Sequence, residues 1–259
     1  SHLAHLINAV KAVHAPVTSM RFSPMDPASR SYSVLQSSLE MSQLKTFKYF
    51  AFGNWYLPVE GNWTDYLKGR SGTLRSTIKR MMKKLITDGG SIELIVGGAE
   101  LERGLAAYES VYAASWKVPE PYTQFMPGLM RICADLSWLR LGIVWLNGKA
   151  IAAQLWIVAN GKASIYKVAY NENFKPYAPG TILSAMLMEH VIEKDHVAEV
   201  DFLIGDDPYK KTWMSDRRER WGVVAYNHRT ILGFWYLRKE VLGRFMKPRL
   251  VSARALAYR

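Results

Sequence analysis

The chain has 259 residues, 49% of them hydrophobic and 22% charged, with a formal net charge of +12. That is globular composition, neither disordered nor collagen-like, with enough chain for one large domain or two small ones. A single cysteine, Cys133, excludes an intramolecular disulfide, and no run reaches the roughly 18 apolar residues of a bilayer span.

In chain order, Leu3, Leu6, Ile7 and Val10 mark one face of a helix over 3–13. The chain opens straight into that pattern, so we expect residues to precede it. A short strand over 18–22 follows, then a helix over 27–41 with Asp26 as N-cap. The stretch 46–57, rich in Phe, Tyr and Trp, reads as a strand. Between Asp65 and Asp88 there is no acid, whereas Lys68, Arg70, Arg75, Lys79, Arg80, Lys83 and Lys84 supply seven positive charges. Leu74, Ile78, Met81, Met82 and Leu85 fall at helical spacing through the same run, which predicts one basic amphipathic helix over 63–87. Gly89-Gly90 ends it.

A strand over 91–96 and helices over 100–115 and 122–135 come next. Three strands then follow closely, at 138–146, 150–159 and 164–170. Their connectors are Asn147-Gly148 and Asn160-Gly161, and Asn-Gly is the strongest short hairpin signal, so a three-stranded antiparallel meander is expected. An Ala178-Pro179-Gly180 turn opens a helix over 181–194; a strand over 198–203, a Gly-Asp-Asp-Pro loop, a strand over 221–227 and a helix over 231–246 complete the chain.

The turn before the 181–194 helix carries the first chemical signal. Helix N-termini present unpaired N–H donors and a positive dipole end, which suits a pyrophosphate. Gly180 lets a ligand approach the backbone, and Pro179 fixes the helix start. The second signal is the run from Asp201 to Trp213, which sets an acid at a strand end, a glycine turn and the Tyr209-Lys210 pair beside one another.

Taken in order, Tyr166-Lys167-x-x-Tyr170, Ala178-Pro179-Gly180 and Asp201-Phe202-x-x-Gly205-x-x-x-Tyr209-Lys210-x-x-Trp213 resemble the GNAT-superfamily group of bacterial CelD-like (cellulose biosynthesis protein-like) acetyltransferases. Trp55-Tyr56-Leu57-Pro58, the basic run from Arg70 to Lys84 and Ser115-Trp116 also fit that group. The resemblance covers about residues 50–227 and extends, more remotely, to the Fem peptidyltransferases. Members usually carry Ser where this chain has Ala178, and a longer N-terminal half.

The resemblance implies an α/β (α+β) GNAT-like fold: a mixed, largely antiparallel sheet flanked by helices. It also implies a partial GNAT-like unit with the basic helix over 1–90, a catalytic GNAT-like domain over 91–230, and a basic helix and tail over 231–259. The implied activity is transfer of an acyl group from a thioester onto an amine, with acyl-CoA, acetyl-CoA or an acyl carrier protein as donor. A lipid or sugar amine is the expected class of acceptor. An aminoacyl-tRNA-dependent, Fem-like reaction and a non-catalytic basic module binding membrane or nucleic acid are the alternatives.

Pro179, Gly180, Thr181 and Tyr170 are the residues expected at the donor. Asp201, and after it His190, are the expected bases; Tyr209 and Lys210 are expected on the oxyanion or thiolate side. Strand alternation lets only one of Tyr166 and Lys167 face the cleft, and Tyr166 is expected to share its face with Tyr170. No His or Cys spacing matches a metal ligand set. Eight basic residues against one acid between Arg229 and Arg259, interleaved with Ile231, Leu232, Phe234 and Trp235, resemble an interfacial membrane segment. The expected location is the cytoplasm, peripheral on the inner membrane.

Overall fold

The computed structural model describes residues 2–13 and 17–256, with the side chains of all of these except 13 and 245–256. The chain forms two compact units, Ser1–Gly53 with Glu219–Arg259, and Asn54–Arg218. This partition differs from the divisions at 90 and 230 read from the sequence. The basic helix packs on the helix of residues 179–193, deep in the second unit, and so does not group with the N-terminal segments.

In the first unit, α1 (His2–Val13) lies beside α2 (Arg30–Met41). Strand β1 (Ser19–Met25) pairs antiparallel with β8 (Asp216–Tyr226), which neighbours the first part of β2 (Lys45–Pro58). Ile7, Tyr32, Leu35, Leu39, Val223 and Ala225 form the core. The N-cap of α2 is Ser29, whose hydroxyl accepts from Tyr32 N–H, rather than Asp26. The Asp26 carboxylate instead accepts from Ala28 N–H at 2.9 Å and shapes the turn before the cap. Strand β8 begins five residues before its apolar part: Asp216 to Arg220 are all charged, so no apolar pattern marks them as strand. The last helix, α8 (Ile231–Leu256), runs on through the basic tail; side chains beyond Arg244, including those of Lys247, Arg249 and Arg254, and all of Arg259 lie outside the described part.

In the second unit the strand order is β2, β7 (Glu199–Asp201), β6 (Lys162–Tyr170), β5 (Lys149–Ala159), β4 (Leu139–Leu146), β3 (Gly90–Ile95). Neighbours run antiparallel except β6 and β7, which are parallel. The meander forms as its Asn-Gly connectors predict. Asn147, Gly148, Asn160 and Gly161 all have positive φ, between 50° and 73°, the conformation a two-residue primed turn needs.

Both sheet faces are covered. Helix α7 (Pro179–Glu193) packs on one face with α3 (Trp63–Lys68) and α4 (Gly72–Thr87), around Trp156, Ile182, Leu183 and Leu187. Helices α5 (Leu101–Ala113) and α6 (Phe125–Asp135) cover the other, around Leu105, Met130, Leu141 and Leu155. The basic segment is thus two helices, not one. Ser71 restarts the chain as an N-cap, its hydroxyl accepting from Leu74 N–H. Helix α4 buries Leu74, Met81 and Leu85 of the apolar stripe read from its spacing, with Ile78 and Met82 partly buried beside them.

Candidate active site

Strands β6 and β7 pair only over Lys162–Ser164 and Glu199–Asp201. Beyond that β7 stops while β6 runs on to Tyr170, so the sheet opens into a cleft between β6 and the 202–213 loop. Two cavities lie along it. One, of about 550 Å³, reaches Trp116, Tyr170, Lys175 and the first turn of α7 at Pro179, Gly180 and Thr181. The other, of about 410 Å³, reaches Tyr166, Lys167, Leu203 and Lys210. Lys117, Val168, Phe202, Asp207 and Tyr209 line both.

The N-terminal end of α7 is built with some strain. Ala178 occupies the N-cap at φ 45°, ψ 48°, the left-handed region, and its methyl offers no capping hydrogen bond. A left-handed alanine costs about 1–2 kcal/mol, which the surroundings must hold. Gln154, buried on β5, does so: its Nε2 donates to Gly180 O at 2.9 Å and Ser184 Oγ at 2.9 Å. Trp156 Nε1 donates to Gln154 Oε1 at 2.9 Å, fixing the amide's orientation. The first helical turn is thereby pinned to the sheet and faces the larger cavity. Pro179 has no N–H, and the Thr181 and Ile182 N–H groups donate to Ala178 O at 2.9 and 3.2 Å, so among the described residues the free backbone donor of this turn is the Gly180 N–H, at the positive end of the helix dipole. A Cβ at Gly180 would meet only the Tyr170 ring, at 3.6 Å, so the glycine leaves open space at the cavity wall and avoids no clash. The Trp116 ring packs on Tyr170 with centroids 4.8 Å apart and walls the same cavity.

The 202–213 loop is fastened from three sides. Asp201 is buried; its Oδ1 accepts from Asn54 Nδ2 at 2.6 Å and Leu203 N–H at 2.7 Å, and its Oδ2 accepts from Arg218 at 2.8 Å and Lys162 at 3.3 Å. Burial works against its charge, but the Asn54 and Leu203 hydrogen bonds, with Lys162 and Arg218, outweigh it and hold the carboxyl below its usual range. Asp206 accepts from Trp55 Nε1 at 2.7 Å and pairs with Arg217 at 2.6 Å. The Lys210 ammonium turns inward, donating to Ile204 O at 2.5 Å and Gly205 O at 3.3 Å, with Asp207 at 3.2 Å.

These anchors leave Tyr209 at the wall common to both cavities. Its ring packs edge-on against Phe202 with centroids 5.7 Å apart. No described residue hydrogen-bonds its hydroxyl. Burial, with the Asp207 charge beside it, pushes that hydroxyl up to about 12, so it keeps its proton at neutral pH.

The expected site residues therefore separate. Pro179, Gly180, Thr181, Tyr170 and Tyr209 meet around one cavity, while Tyr166 and Lys210 border the other. Asp201 borders neither, its oxygens engaged by the loop and by β8. His190 lies ten residues along α7 from Gly180, about 15 Å at the helical rise. Its imidazole sits 3.8 Å from Asp195, and burial pushes its pKa down. Tyr166 and Tyr170 do not share a face. The pairing of β5 with β6 slips between Leu155–Lys167 and Trp156–Ile165, leaving Tyr166 as the extra residue of a β-bulge. Tyr166 then packs with the α5–α6 side and Tyr170 with the α7 side.

Sequence reasoning passed over Gln154, Lys117 and Asp207. Gln154 had a signal, a polar residue inside an otherwise apolar strand. Asp207, half-exposed in a polar loop, had none; it is the one carboxylate among the described residues lining the two cavities. Among the described residues, no group of three or more His, Cys, Asp or Glu is placed to hold a metal ion, and no helix is long and apolar enough to cross a membrane.

A mixed sheet that opens beside its one parallel pair, next to a helix N-terminus, is a GNAT-like fold. The chain belongs to the acetyltransferase (GNAT) domain family, whose pattern residues 72–211 match. Among solved structures it is similar to the C-terminal domain (DUF2156) of a putative lysylphosphatidylglycerol synthetase from Agrobacterium fabrum, at 14% identity and TM-score 0.60, over 92% of this chain and 76% of that one. It is also similar to FemX, at 11% identity and TM-score 0.61, over 89% and 79%. A third likeness is to L-PGS from Bacillus licheniformis, at 12% identity and TM-score 0.50, over 92% and 76%. No curated protein sequence matches the chain.

Proposed function

We propose that this chain is an N-acyltransferase of the CelD-like group, moving an acyl group from acyl-CoA, acetyl-CoA or an acyl carrier protein onto an amine. The observation that carries the reading is Tyr209. It is a protonated hydroxyl with no hydrogen-bond partner among the described residues, placed where a cavity holding a helix N-terminus meets a second cavity. The donor's pyrophosphate lies on the first turn of α7, with Lys175 nearby, and its thioester extends along β6 toward Tyr209.

The acceptor enters from the Tyr166–Lys167 side. Asp207 draws the ammonium and takes its proton, directly or through water. The free amine attacks the carbonyl carbon, the nitrogen passes its second proton to water, the carbon–sulfur bond breaks, and the leaving thiolate takes the Tyr209 proton, which solvent restores. Lys210 and Asp201 shape the loop that presents Tyr209; the carbonyl cage around Lys210 and the four donors on Asp201 support positioning roles for both. Tyr166, at the bulge, borders the acceptor side.

The test is Tyr209→Phe. It is expected to lower turnover by about 10²-fold while acyl-CoA affinity stays at the wild-type value. Gly180→Glu sets a negative charge at the donor turn and is expected to abolish donor binding in a folded protein. Native mass spectrometry of the purified chain provides the direct check, as a bound acyl-CoA or carrier adduct. Unchanged rates in the first variant together with unchanged donor affinity in the second refute the assignment.

A second reading takes aminoacyl-tRNA as donor. Its support is the likeness to FemX and to lysylphosphatidylglycerol synthetase domains, together with the +12 net charge. Retention of charged tRNA, with a steep salt dependence and no acyl-CoA binding, selects it. For an acceptor amine on a lipid, α8 offers a docking surface on the cytoplasmic face of an anionic membrane. Ile231, Leu232 and Trp235 are exposed there beside Arg238 and Lys239.

A further inference from the structure

Three lysines line the acceptor-side cavity, and two of them are compensated. Lys167 pairs with Glu120 at 2.5 Å, and Glu120 also accepts from Tyr112 Oη at 2.8 Å. Lys210 is held by Asp207 at 3.2 Å and by the loop carbonyls. Lys117 has no such partner. Its ammonium lies 5.1 Å from the Trp116 ring centroid, and no described carboxylate or carbonyl accepts from it. It lines both cavities at their junction. Burial, and after it the repulsion of Lys167, push its pKa down.

A partly buried cation that faces a cavity with no described carboxylate in ion-pair contact carries a desolvation cost that the more distant Asp207 and Glu120 offset only in part. A ligand anion at that point removes the deficit. The donor's phosphates belong at the other end of the larger cavity, beside Lys175 and the start of α7. The acceptor side has no other uncompensated cation among its described lining residues. Asp207 lines the same junction, so the cleft sets one cation and one carboxylate side by side.

We infer that Lys117 receives an anionic group of the acceptor, and that the acceptor is an amine carrying a phosphate or carboxylate a few atoms from its nitrogen. The inference rests on the acyltransferase reading. Its amine meets Asp207 and its anion meets Lys117, so the two contacts aim the nitrogen into the cleft. Amines of similar size that carry no anionic group gain only the first contact.

Calorimetric titration of the full chain with phosphoethanolamine, β-alanine and ethanolamine tests this in low-salt buffer at neutral pH. At least one of the two anionic amines is expected to bind about tenfold or more tightly than ethanolamine. Preference for phosphoethanolamine or for β-alanine decides between phosphate and carboxylate. Lys117→Gln is expected to erase the preference and Lys117→Arg to keep it. Lys117 is a half-buried surface lysine, so both variants are expected to fold, which a thermal melt verifies. Equal binding of the three amines, no binding at millimolar concentrations, or an undiminished preference in Lys117→Gln overturns the inference. If Lys117 serves only the developing oxyanion, Lys117→Gln slows turnover and leaves amine binding unchanged, which also overturns it. A parallel titration with acyl-CoA separates the two levels. Acyl-CoA binding without the amine preference removes this inference alone, whereas loss of both removes the acyltransferase reading beneath it.

Discussion

Replacing Asp201 with asparagine separates an anchoring carboxylate from a catalytic base. The side chain is 4% exposed and faces Arg218 at 2.8 Å and Lys162 at 3.3 Å. Asparagine keeps the shape but removes the charge, and its amide protons face the Asn54 amide or the two cations. Breaking a buried pair from one side costs about 3–5 kcal/mol. Arg218 and Lys162 keep partial access to water, at 25% and 39% exposure, and Arg218 retains Glu199 at 2.7 Å. The cost therefore falls to about 2–3 kcal/mol, or about 5–10 °C in Tm for a unit of this size.

The pH dependence has a definite sign. The folded carboxyl lies below its ordinary 3.8, so the charge contributes stability that is fully present above that value and lost as pH falls through the folded one. The gap in Tm between wild type and Asp201→Asn is therefore expected to be full at neutral pH and to close in acid below about 3.8. Circular-dichroism melts across pH measure it, alongside acyl-CoA titrations and turnover per folded molecule. An Asp201→Asn protein as stable as wild type, but slowed 100-fold or more at the scale of a lost general base, refutes the anchoring argument and returns Asp201 to catalysis.

Gly90→Ala is expected to destabilise by about 1–3 kcal/mol, measured by urea denaturation, because the new Cβ falls 2.4 Å from Leu85 Cδ1 and 2.8 Å from Trp145 O. Cys133 is 2% exposed and burial pushes its thiol up, so a thiol reagent is expected to leave the native protein unmodified and to label it fully in denaturant. Anionic liposomes are expected to float the protein at low salt and release it at high salt, each basic side chain near the surface contributing about 1 kcal/mol. Leu232→Asp with Trp235→Asp in α8 is expected to abolish that flotation, and no recruitment at low salt removes the membrane surface from consideration.

What the sequence determined by itself was local. Two Asn-Gly pairs require positive φ at adjacent residues, and that conformation closes a hairpin whatever surrounds it, so the meander was legible. The stripe from Leu74 to Leu85 made α4 amphipathic, and Pro179-Gly180 marked the start of α7, because periodicity and turn chemistry act within a few residues. Tertiary structure decided what depends on partners far along the chain. Asp201 meets Asn54, 147 residues away, a contact that supports the anchoring role proposed for it and that no local pattern foretells. Lys210 folds back onto carbonyls of its own loop, a capture that requires Leu203 and Gly205 at positive φ, 54° and 104°. The bulge at Tyr166 depends on the β5–β6 register and sends Tyr166 and Tyr170 to opposite faces, where strict alternation placed them together. Lys117, in a segment with no periodic signal, lines the cleft only because the sheet opens where β7 ends, and a pairing that stops after three residues is a property of the assembled strands.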